Sequence, residues 1–401
     1  MQQSMVRILF VVFVLVVIGV LVFLDRFLYR QLCERFRQFQ HSWIGRLFRW
    51  CIYGMPVLFF AALIIRRWVS SSSPVMFGVT LLLAFWYLPK LPVALGWWLV
   101  SIVRRWWKPS ALSFSAQRRS VLQGTLAIAA GYPYIVAAVG AARTTYNVQV
   151  QRCVLHFADL PAAFAPLRIV QISDLHVGSF PDPLDFFQPV FERIAALQPD
   201  LVVVTGDWVN FDPRELEPLL PLFRQLRVPL GIYGCLGNHD HYMSSEDHQQ
   251  LKEIIRGAGV HLLVNEADVL ERSGERLAIV GTDNTGTGQY FGDLPKAMKE
   301  VPENTFALLL AHTPSYWDKA VRGKAPIALM LAGHTHGGQL ALPLGVVTLN
   351  PAHLVFRYVQ GLYADPGGQM LYVNAGLGTT FFPLRTGVPP EITLLELRSP
   401  V

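Results

Sequence analysis

The sequence predicts two regions: an α/β domain over residues 150–401, and before it a bundle of about four transmembrane helices within residues 1–145. Hydrophobic residues make up 52% of the 401 residues, which is more than an ordinary soluble protein contains. Charge is divided unevenly, because residues 1–142 carry a net charge of +13 and residues 143–401 carry −7. After residue 166, short apolar runs alternate with amphipathic segments, and this alternation is typical of α/β domains.

Four segments of the N-terminal region are apolar and long enough to cross a bilayer. They lie at about residues 8–24, 50–65, 75–103 and 121–142. No small-residue cleavage site follows the first segment, so we expect an uncleaved span rather than a signal peptide. The third segment is interrupted by Pro89-Lys90-Leu91-Pro92 and is long for one helix but short for two. Residues 26–49, rich in Arg and aromatic residues, predict an amphipathic helix in the membrane interface.

The basic residues of the predicted loops indicate the orientation of this bundle. Loops 25–49 and 104–120 together contain 11 Lys and Arg, whereas the opposite side contains five. Because positively charged loops stay in the cytoplasm, we expect residues 150–401 to lie outside the inner membrane. Arg118-Arg119 fits either an ordinary positive flank or a twin-arginine export signal, and both give this topology. The orientation inverts if the Pro89–Pro92 break divides the third segment into two spans.

The apolar runs of the C-terminal half predict buried strands. They lie at residues 167–172, 201–205, 230–236, 277–281, 306–311 and 327–332, with further strands at 369–374 and 392–397. Amphipathic segments of helical period lie between the first four runs, around residues 184–197, 214–226 and 244–257. Strands that alternate with helices in this way imply an α/β domain.

A polar cluster follows five of these strands, at the strand ends where α/β sheets bind ligands. The clusters are Asp174-Leu175-His176, Gly206-Asp207, Gly237-Asn238-His239-Asp240, His312 and Gly333-His334-Thr335-His336. Carboxylate, amide and imidazole ligands without a thiolate suit Mn²⁺, iron or Zn²⁺ better than they suit a structural thiolate-zinc site. The set is larger than one catalytic ion needs, so we expect two ions that share a carboxylate, an arrangement suited to phosphoester hydrolysis.

This ordered set of five motifs resembles the calcineurin-like metallophosphoesterase family over about residues 165–375. The resemblance implies a four-layer α-β-β-α sandwich, in which two mixed sheets are flanked by helices. It also implies two divalent metal ions, Mn²⁺, Fe²⁺/Fe³⁺ or Zn²⁺. One ion would be bound by Asp174, His176 and His336, the other by Asn238, His312 and His334, with Asp207 bridging the pair.

The spans and this domain together resemble a membrane-anchored subfamily, the transmembrane proteins with a metallophosphoesterase domain and the bacterial membrane-associated phosphodiesterases. This resemblance implies a multi-pass protein of the bacterial inner membrane. With the orientation predicted from the loops, the catalytic domain would lie on the periplasmic side.

The family resemblance also implies a mechanism, in which a hydroxide shared by two ions attacks phosphorus and His239 protonates the leaving oxygen. Phosphatases of the family often have Asp three residues after the bridging Asp, where this chain has Asn210. Asn210 can orient the catalytic ring but cannot raise its pKa by charge. Asp240 is expected either to support the ligand residues or to be an ordinary loop residue.

The sequence therefore predicts a membrane-anchored phosphoesterase that cleaves a phosphomonoester, a phosphodiester or a pyrophosphate. The expected partners are the bilayer and a phosphorylated small molecule or lipid-linked substrate, with UDP-diacylglucosamine suggested by family analogy alone. No nucleic-acid partner is expected, because the basic residues lie between apolar segments. The alternative is a membrane receptor or scaffold whose metal-bound, catalytically slow domain holds a phosphorylated ligand. A transporter would need charged residues within the spans, and Lys90 is the only candidate.

Overall fold

The structure is a computed structural model that describes residues 2–36, 38–65, 73–106 and 116–400. The chain divides into two compact units. The N-terminal unit comprises Met1–Val69 and Gly78–Ala138, and the C-terminal unit comprises Ser70–Phe77 and Val139–Val401. Four of the basic residues that predicted the orientation lie outside the described residues, namely Arg37, Arg66, Arg67 and Lys108.

Five helices occupy most of the described part of the first 142 residues. They are α1 (Gln2–Arg35), α2 (Trp43–Ile65), α3 (Pro74–Tyr87), α4 (Lys90–Trp106) and α5 (Ala116–Ala142). The separate interfacial helix predicted over residues 26–49 is wrong, because α1 continues to Arg35 and α2 already begins at Trp43. No proline interrupts α1, so the change from apolar to Arg-rich composition does not end the helix. The predicted break near Pro89 is a turn between α3 and α4.

Two helical segments of the described residues are long and apolar enough to cross a membrane, Trp43–Ala62 and Pro74–Ile102. The second segment includes the turn between α3 and α4. The other two predicted spans, residues 8–24 and 121–142, lie within α1 and α5. That these two helices cross a membrane stays a prediction.

A buried ion pair joins α1 to α4. Lys90 Nζ lies 2.6 Å from Asp25 Oδ1, and both side chains are almost fully buried. Trp86 Nε1 donates to the other oxygen of Asp25 at 3.1 Å, and Lys90 Nζ lies 3.2 Å from the centroid of the Trp86 ring. The charge of Lys90, which the sequence pointed to as the only candidate for transport, is therefore paired within the helical unit.

The strands of the C-terminal unit form two six-stranded mixed sheets and a separate hairpin. The first sheet contains, in spatial order, β1 (Gln149–His156), β14 (Glu391–Arg398), β2 (Leu167–Ile172), β3 (Leu201–Thr205), β4 (Ile232–Cys235) and β5 (Val260–Leu262). The second contains β12 (Gly361–Ala364), β13 (Met370–Val373), β9 (Leu329–Ala332), β8 (Phe306–Leu310), β7 (Glu275–Gly281) and β6 (Glu266–Arg272). The hairpin consists of β10 (Leu342–Leu344) and β11 (Val347–Leu349).

Parallel pairing dominates the centre of each sheet. Strands β2, β3, β4 and β5 are parallel neighbours in the first sheet, and β7, β8, β9 and β13 are parallel neighbours in the second. Antiparallel pairing occurs between β14 and β2 and at the outer strands β6 and β12. The carboxyl ends of the central strands therefore meet at a common edge in each sheet.

The core explains why the strands read as continuous apolar runs. In β3, Leu201 and Val203 belong to a buried cluster that includes Leu308 of the second sheet, so this cluster lies between the sheets. Val202 and Val204 point the opposite way and pack with the helices α6 (Pro183–Ala196), α7 (Leu220–Gln225) and α8 (Ser245–Gly257). The outer face of the second sheet packs against α9 (Leu294–Ala297) and the π-helical turn Trp317–Val321. Both faces of each central strand are thus covered.

The eight predicted strands of this unit are confirmed, with bounds that differ from the structure by two residues at most. The predicted helices at 184–197 and 244–257 are confirmed as α6 and α8. The segment predicted at 214–226 is a 3₁₀ helix, Pro213–Leu219, followed by α7. Strands β1, β5, β6 and β10–β12 were not predicted, because they are short, polar or at sheet edges.

Candidate metal centre

The predicted site residues of the first sheet lie directly after parallel strands β2, β3 and β4. Backbone hydrogen bonds tie these strand ends together: the N–H of Asp174 donates to the carbonyl of Gly206 at 3.0 Å, and that of His176 donates to Asp207 at 3.1 Å. The N–H of His239 donates to the carboxylate Oδ1 of Asp207 at 2.8 Å. Three strand ends therefore meet around Asp207.

The second sheet brings the remaining histidines to the same place. His312 follows β8 and His334 follows β9, and the N–H of Gly333 donates to the carbonyl of His312 at 3.0 Å. The N–H of His334 donates to both carboxylate oxygens of Asp174, at 3.0 and 3.1 Å. This contact joins the strand ends of the two sheets, 160 residues apart in sequence.

The backbone of the site is held in a conformation that few side chains adopt. Five predicted ligands have left-handed φ angles: Asp174 (50°), His176 (42°), Asp207 (54°), His334 (73°) and His336 (52°). Such angles cost about 1–3 kcal/mol each and concentrate at functional sites. Close packing adds to the constraint, because a Cβ atom at Gly206 would lie 2.7 Å from the backbone nitrogen of Gly237.

Three groups of side chains have potential ligand atoms within 4.8 Å of one another. They are Asp174 with His176 and His336, His176 with Asp207 and His239, and Asp207 with His312 and His334. His176 is shared by the first two groups, and Asp207 is shared by the last two. Apart from Asn238, the predicted metal ligands and the predicted acid thus form one continuous cluster.

The side chain of Asp207 lies at the centre of this cluster. Its Oδ2 is 3.4 Å from His176 Nε2 and 3.2 Å from His312 Nε2. His312 Nε2 in turn lies 3.2 Å from His334 Nδ1. Asp174 Oδ1 is 3.3 Å from His336 Nε2 on the other side of the cluster. A single carboxylate therefore faces histidines of both outer groups.

Buried polar atoms without hydrogen bonds indicate that this cluster fits metal ions. Among the described residues, only seven buried side-chain nitrogen or oxygen atoms have no hydrogen-bond partner, and three of them are His176 Nε2, Asn238 Oδ1 and His336 Nε2. Leaving such atoms unpaired is costly unless a ligand satisfies them. His176 Nε2 and Asn238 Oδ1 are lone-pair atoms of predicted metal ligands, because Nδ1 of His176 donates to Asn210. His336 differs, since its Nδ1 faces the guanidinium of Arg385. Asn238 is therefore oriented for binding, with its amide nitrogen donating to the Tyr242 hydroxyl at 3.2 Å.

Neighbouring groups set which nitrogen of His176 and of His312 faces the cluster. The Nδ1 atoms of His176 and His312 contact the side-chain oxygen of Asn210 at 2.8 Å and the carbonyl of Thr205 at 2.7 Å. An oxygen acceptor places a hydrogen on Nδ1, so Nε2 is the nitrogen that would bind a metal, after losing any proton that it holds.

Asn210 acts on two histidines in different ways. Its side-chain oxygen contacts His176, whereas its backbone carbonyl lies 3.1 Å from Nδ1 of His239. The predicted orienting contact to His239 is therefore made by the main chain and not by the amide. His239 is packed edge-on against the His176 ring, with ring centroids 4.6 Å apart.

Asp240 is a buried support of the site. Its carboxylate accepts backbone N–H groups of Gly237 at 2.8 Å, Trp208 at 2.9 Å and Asp207 at 3.0 Å. It thereby fixes the turns after β3 and β4. These contacts favour a supporting residue over an idle loop residue, and the supporting role stays a prediction.

Sequence reasoning missed Arg385, which is fully buried behind the cluster. Its guanidinium donates to the carbonyls of Ala375, Gly376 and Gly378 and to that of His336. Nη2 also lies 3.2 Å from His336 Nδ1. Arg385 thus holds the backbone of one predicted ligand and the loop after β13. No local motif marks it, since its partners come from distant parts of the chain.

Burial and charge set the protonation of the cluster. Burial lowers the pKa of His239 to about 4 and that of His334 to about 3, so both rings are neutral near pH 7. Burial also opposes charge on His312, but Asp207 outweighs it and raises the pKa of His312 to about 10. Burial favours the neutral form of Asp207, yet His312 and His239 lower its pKa well below the usual range. A cation bound beside Asp207 would replace the proton that His312 holds.

Comparison with known proteins agrees with this chemistry. A family model for the calcineurin-like phosphoesterases matches residues 167–338. The chain is 34% identical to phosphodiesterase YaeI of Escherichia coli over 237 residues. The matched region is 58% of this chain and 83% of that protein. The chain belongs to the calcineurin-like phosphoesterase family. The resemblance inferred from the five motifs is confirmed.

Other members of the calcineurin-like phosphoesterase family match a larger part of the chain. An uncharacterized metallophosphoesterase of Bacillus subtilis, YkuE, is 32% identical over 292 residues, which is 70% of this chain and 98% of that protein. The transmembrane protein with metallophosphoesterase domain of Bos taurus is 31% identical over 279 residues, 66% of this chain and 58% of that protein. This chain is accordingly a metal-dependent phosphoesterase, with mixed α/β sheets of the metallophosphoesterase type and groups of side chains suited to hold metal ions.

Proposed function

We propose that this protein is a membrane-anchored phosphoesterase that holds two divalent cations and hydrolyses a phosphoester or pyrophosphate bond of a lipid-linked substrate. One cation would be held by Asp174, His176 and His336, and the other by Asn238, His312 and His334, with Asp207 shared. The cations would be Mn²⁺, Fe²⁺/Fe³⁺ or Zn²⁺, which accept this mixture of oxygen and nitrogen ligands.

The observation that carries the proposal is the position of Asp207. Its Oδ2 lies within 3.4 Å of ring nitrogens from His176 and His312, which belong to different outer groups of the cluster. A carboxylate that faces ring nitrogens of two different groups favours a pair of cations over a single one. The unpaired buried atoms of His176 and Asn238 support the same assignment.

Two divalent cations, when bound, would lower the pKa of a water molecule and neutralise charge on the phosphoryl group. The chain's own residues supply orientation and proton transfer. The contact between Nδ1 of His239 and the carbonyl of Asn210 places the hydrogen on Nδ1, so Nε2 is the atom that can exchange a proton. Because its pKa is about 4, His239 must take up a proton before it can protonate a leaving oxygen.

Two features support a membrane location, and a catalytic unit anchored at a membrane has lipid-linked phosphates within reach. Two helical segments have the length and composition of membrane spans, and one relative is named as a transmembrane protein. We propose four spans, at residues 8–24, 50–65, 75–103 and 121–142, in the bacterial inner membrane. The catalytic unit, residues 150–401, would lie on the periplasmic side. UDP-diacylglucosamine is one substrate that combines a pyrophosphate with a lipid anchor.

The enzymatic part of the proposal is tested with the full chain in detergent. Bis(p-nitrophenyl) phosphate should be hydrolysed after metal removal and reloading with Mn²⁺. Asp207→Asn and His334→Ala should abolish turnover, whereas the control His156→Ala, at an exposed position in β1, should leave it unchanged. Activity that survives both site substitutions would refute the assignment.

The metal stoichiometry is tested by elemental analysis of the same samples. The reloaded chain should contain two Mn²⁺ ions, and Asp207→Asn should contain one or none. A single ion in the unsubstituted chain would contradict the shared-carboxylate arrangement.

The topology is tested by fusing reporter domains after Val401 in a bacterial host. An alkaline phosphatase fusion should be active, because that reporter works only outside the cytoplasm, and a green fluorescent protein fusion should be dark. The opposite pair of results would place residues 150–401 in the cytoplasm.

A further inference from the structure

An exposed apolar hairpin adjoins the metal centre. It comprises β10, β11 and the following 3₁₀ turn Pro351–Leu354, and we define residues 342–355 together with Phe381 as the apolar rim. Val346 at the hairpin tip is fully exposed, and Leu354 and Phe381 are 89% and 82% exposed. The other exposed apolar side chains of the apolar rim are Leu344, Val347, Leu349 and Val355. The apolar character of these residues is not explained by folding of the domain, because their side chains bury little surface in it.

The composition of this segment is as unusual as its exposure. No Asp, Glu, Lys or Arg occurs between Lys324 and Arg357. The two-residue turn of the hairpin consists of Gly345 and Val346, although turns of this kind normally carry Gly with Asn, Asp or Ser. Exposed apolar side chains grouped on one short segment, without charged residues among them, indicate an interaction site.

The apolar rim is anchored directly to the metal centre. The amide of Asn350 donates to the carbonyl of Gly337 at 2.8 Å, one residue after His336. The ring of Phe356, just beyond the 3₁₀ turn, lies 5.9 Å from that of His334, centroid to centroid. The apolar rim and the ligand loop His334–His336 therefore form one packed structure.

Gln339 connects Phe381 to the base of the hairpin. Its side chain donates to the carbonyls of Thr380 and Phe382 and accepts the N–H of Thr380 at 2.9 Å. Phe381 itself has a left-handed φ of 61°, a conformation that is costly for a bulky residue. The backbone is thus held in a strained state while the phenyl ring points into solvent.

We propose that the apolar rim inserts into the surface of a phospholipid bilayer and presents the metal centre to phosphate groups of lipids in that bilayer. The substrate class named here rests on the proposed phosphoesterase function, whereas the insertion does not. A bilayer is the partner that the chain itself indicates, because two of its helical segments have the length and composition of membrane spans. The Leu and Val side chains also suit an acyl-chain boundary better than a protein interface, which favours Tyr, Trp and Arg.

Acyl-chain cross-linking tests the insertion without requiring catalysis. The full chain is reconstituted in liposomes of phosphatidylcholine and phosphatidylglycerol that contain a diazirine-acyl phosphatidylcholine, and adducts are mapped by mass spectrometry after irradiation. We expect adducts on residues 342–355 and on Phe381, as well as on Trp43–Ala62 as the internal standard. Val154 is the control: it is 49% exposed and level with Arg168 at the far end of β2. The proposal would be overturned if Trp43–Ala62 carried adducts while the apolar rim carried no more than Val154 does.

A pair of substrates tests the consequence for catalysis. Val346→Asp and Leu354→Asp are compared with Val154→Asp on a dioleoylglycerol p-nitrophenyl phosphodiester in vesicles and on soluble bis(p-nitrophenyl) phosphate. A charge at a membrane-inserted position should lower turnover of the lipid ester about tenfold or more, as loss of one buried aliphatic side chain implies. Turnover of the soluble ester should stay unchanged, and Val154→Asp should change neither.

Two outcomes would overturn the proposal: equal losses on both substrates, which would mean that the hairpin supports the fold of the site, and no loss on either. If the unsubstituted chain hydrolyses neither ester, the proposed function fails. The cross-linking result still decides whether the apolar rim enters the bilayer.

Discussion

The carboxylate of Asp240 accepts a hydrogen bond from the backbone N–H of Asp207 at 3.0 Å, although 33 residues separate the two in sequence. The same carboxylate accepts the N–H groups of Gly237 and Trp208. In Asp240→Asn, an amide NH₂ group would replace one acceptor oxygen. That group would face at least one of these N–H donors and could not accept its hydrogen bond. We expect about 10–100-fold weaker Mn²⁺ binding, the usual cost of losing a residue that supports metal ligands.

Calorimetric titration of the metal-stripped full chain with Mn²⁺ measures this effect. Asp365→Asn is a matched control, because the carboxylate of Asp365 accepts the N–H of Gln369 at 2.9 Å in the β12–β13 turn, away from the cluster. Its affinity should equal that of the unsubstituted chain. Equal affinity in Asp240→Asn would show that the contact does not support the metal site.

The role proposed for His239 predicts a dependence on the leaving group. In His239→Gln, turnover of an alkyl phosphodiester should fall by a factor of ~10²–10⁴, the usual contribution of a general acid. Turnover of bis(p-nitrophenyl) phosphate should fall much less, because p-nitrophenolate leaves without a proton. Steady-state kinetics with both esters measures the ratio. The same loss with both esters would assign His239 to metal binding or substrate positioning.

Acid should destabilise the metal-free protein through its buried neutral histidines. The pKa values of His239 and His334 are about 4 and about 3 in the fold, against about 6.5 when unfolded. Their contribution to stability is complete above pH 6.5 and is lost as the pH falls toward 4 and 3. The contribution of His312 to stability depends on pH in the opposite direction, because its pKa is raised to about 10. That contribution is lost only as the pH rises above 6.5. Burial raises the pKa of Asp240 to about 7, so its protonation partly offsets the loss from the histidines between pH 7 and pH 5. We therefore expect the two histidines to lower the Tm over this interval, against that opposing contribution.

Differential scanning fluorimetry of the full chain in detergent with EDTA measures this change in Tm. The double variant His239→Gln/His334→Gln lacks both titrations, so its Tm should depend less on pH over the same interval. Carboxylates that titrate elsewhere affect both proteins alike. Equal slopes in the two proteins would show that these histidines are not the source.

Removal of Arg385 should weaken the loop behind the cluster. In Arg385→Met, the carbonyls of Ala375, Gly376 and Gly378 lose their donor within the core, and we expect destabilisation of about 3 kcal/mol. Arg385→Lys should restore little, because an ammonium group lacks the planar fork of donors. Thermal unfolding measures the loss, with Arg398→Met as an exposed control. A change in Arg385→Met no larger than in the control would contradict the prediction.

The ion pair between Asp25 and Lys90 predicts a non-additive pair of substitutions. Lys90→Met leaves a buried carboxylate without its counter-charge, which costs about 3–5 kcal/mol. Adding Asp25→Asn removes that charge, so the double variant should be more stable than Lys90→Met alone. The exposed pair Arg30–Glu34 supplies the control, since Arg30→Met should cost less than about 1 kcal/mol. Thermal unfolding in detergent that shows additive losses would argue against a coupled pair.

The sequence alone was sufficient to locate the buried strands and to select the candidate ligand residues. Strand β3 was predicted with its observed bounds, because a strand covered on both faces is a continuous apolar run that ends at the first polar residue. Asp174, Asp207 and His334 were predicted as metal ligands for the same reason, since polar residues at the ends of such strands stand out against the run before them. The chemistry of the residue types then indicated a metal site, and family membership confirmed a metal-dependent phosphoesterase.

Only the tertiary structure decided which groups touch. Asn210 could be assigned to the site from its spacing to Asp207, but the packing of two strand ends determined that its side chain contacts His176. Arg385 could not be found from sequence, because its acceptors are backbone carbonyls that carry no residue identity. The pairing of Lys90 with Asp25 and the exposure of Val346 likewise depend on how distant segments fold together. Local pattern determines which residues are buried or polar, whereas contacts between remote residues are set by the packing of whole elements.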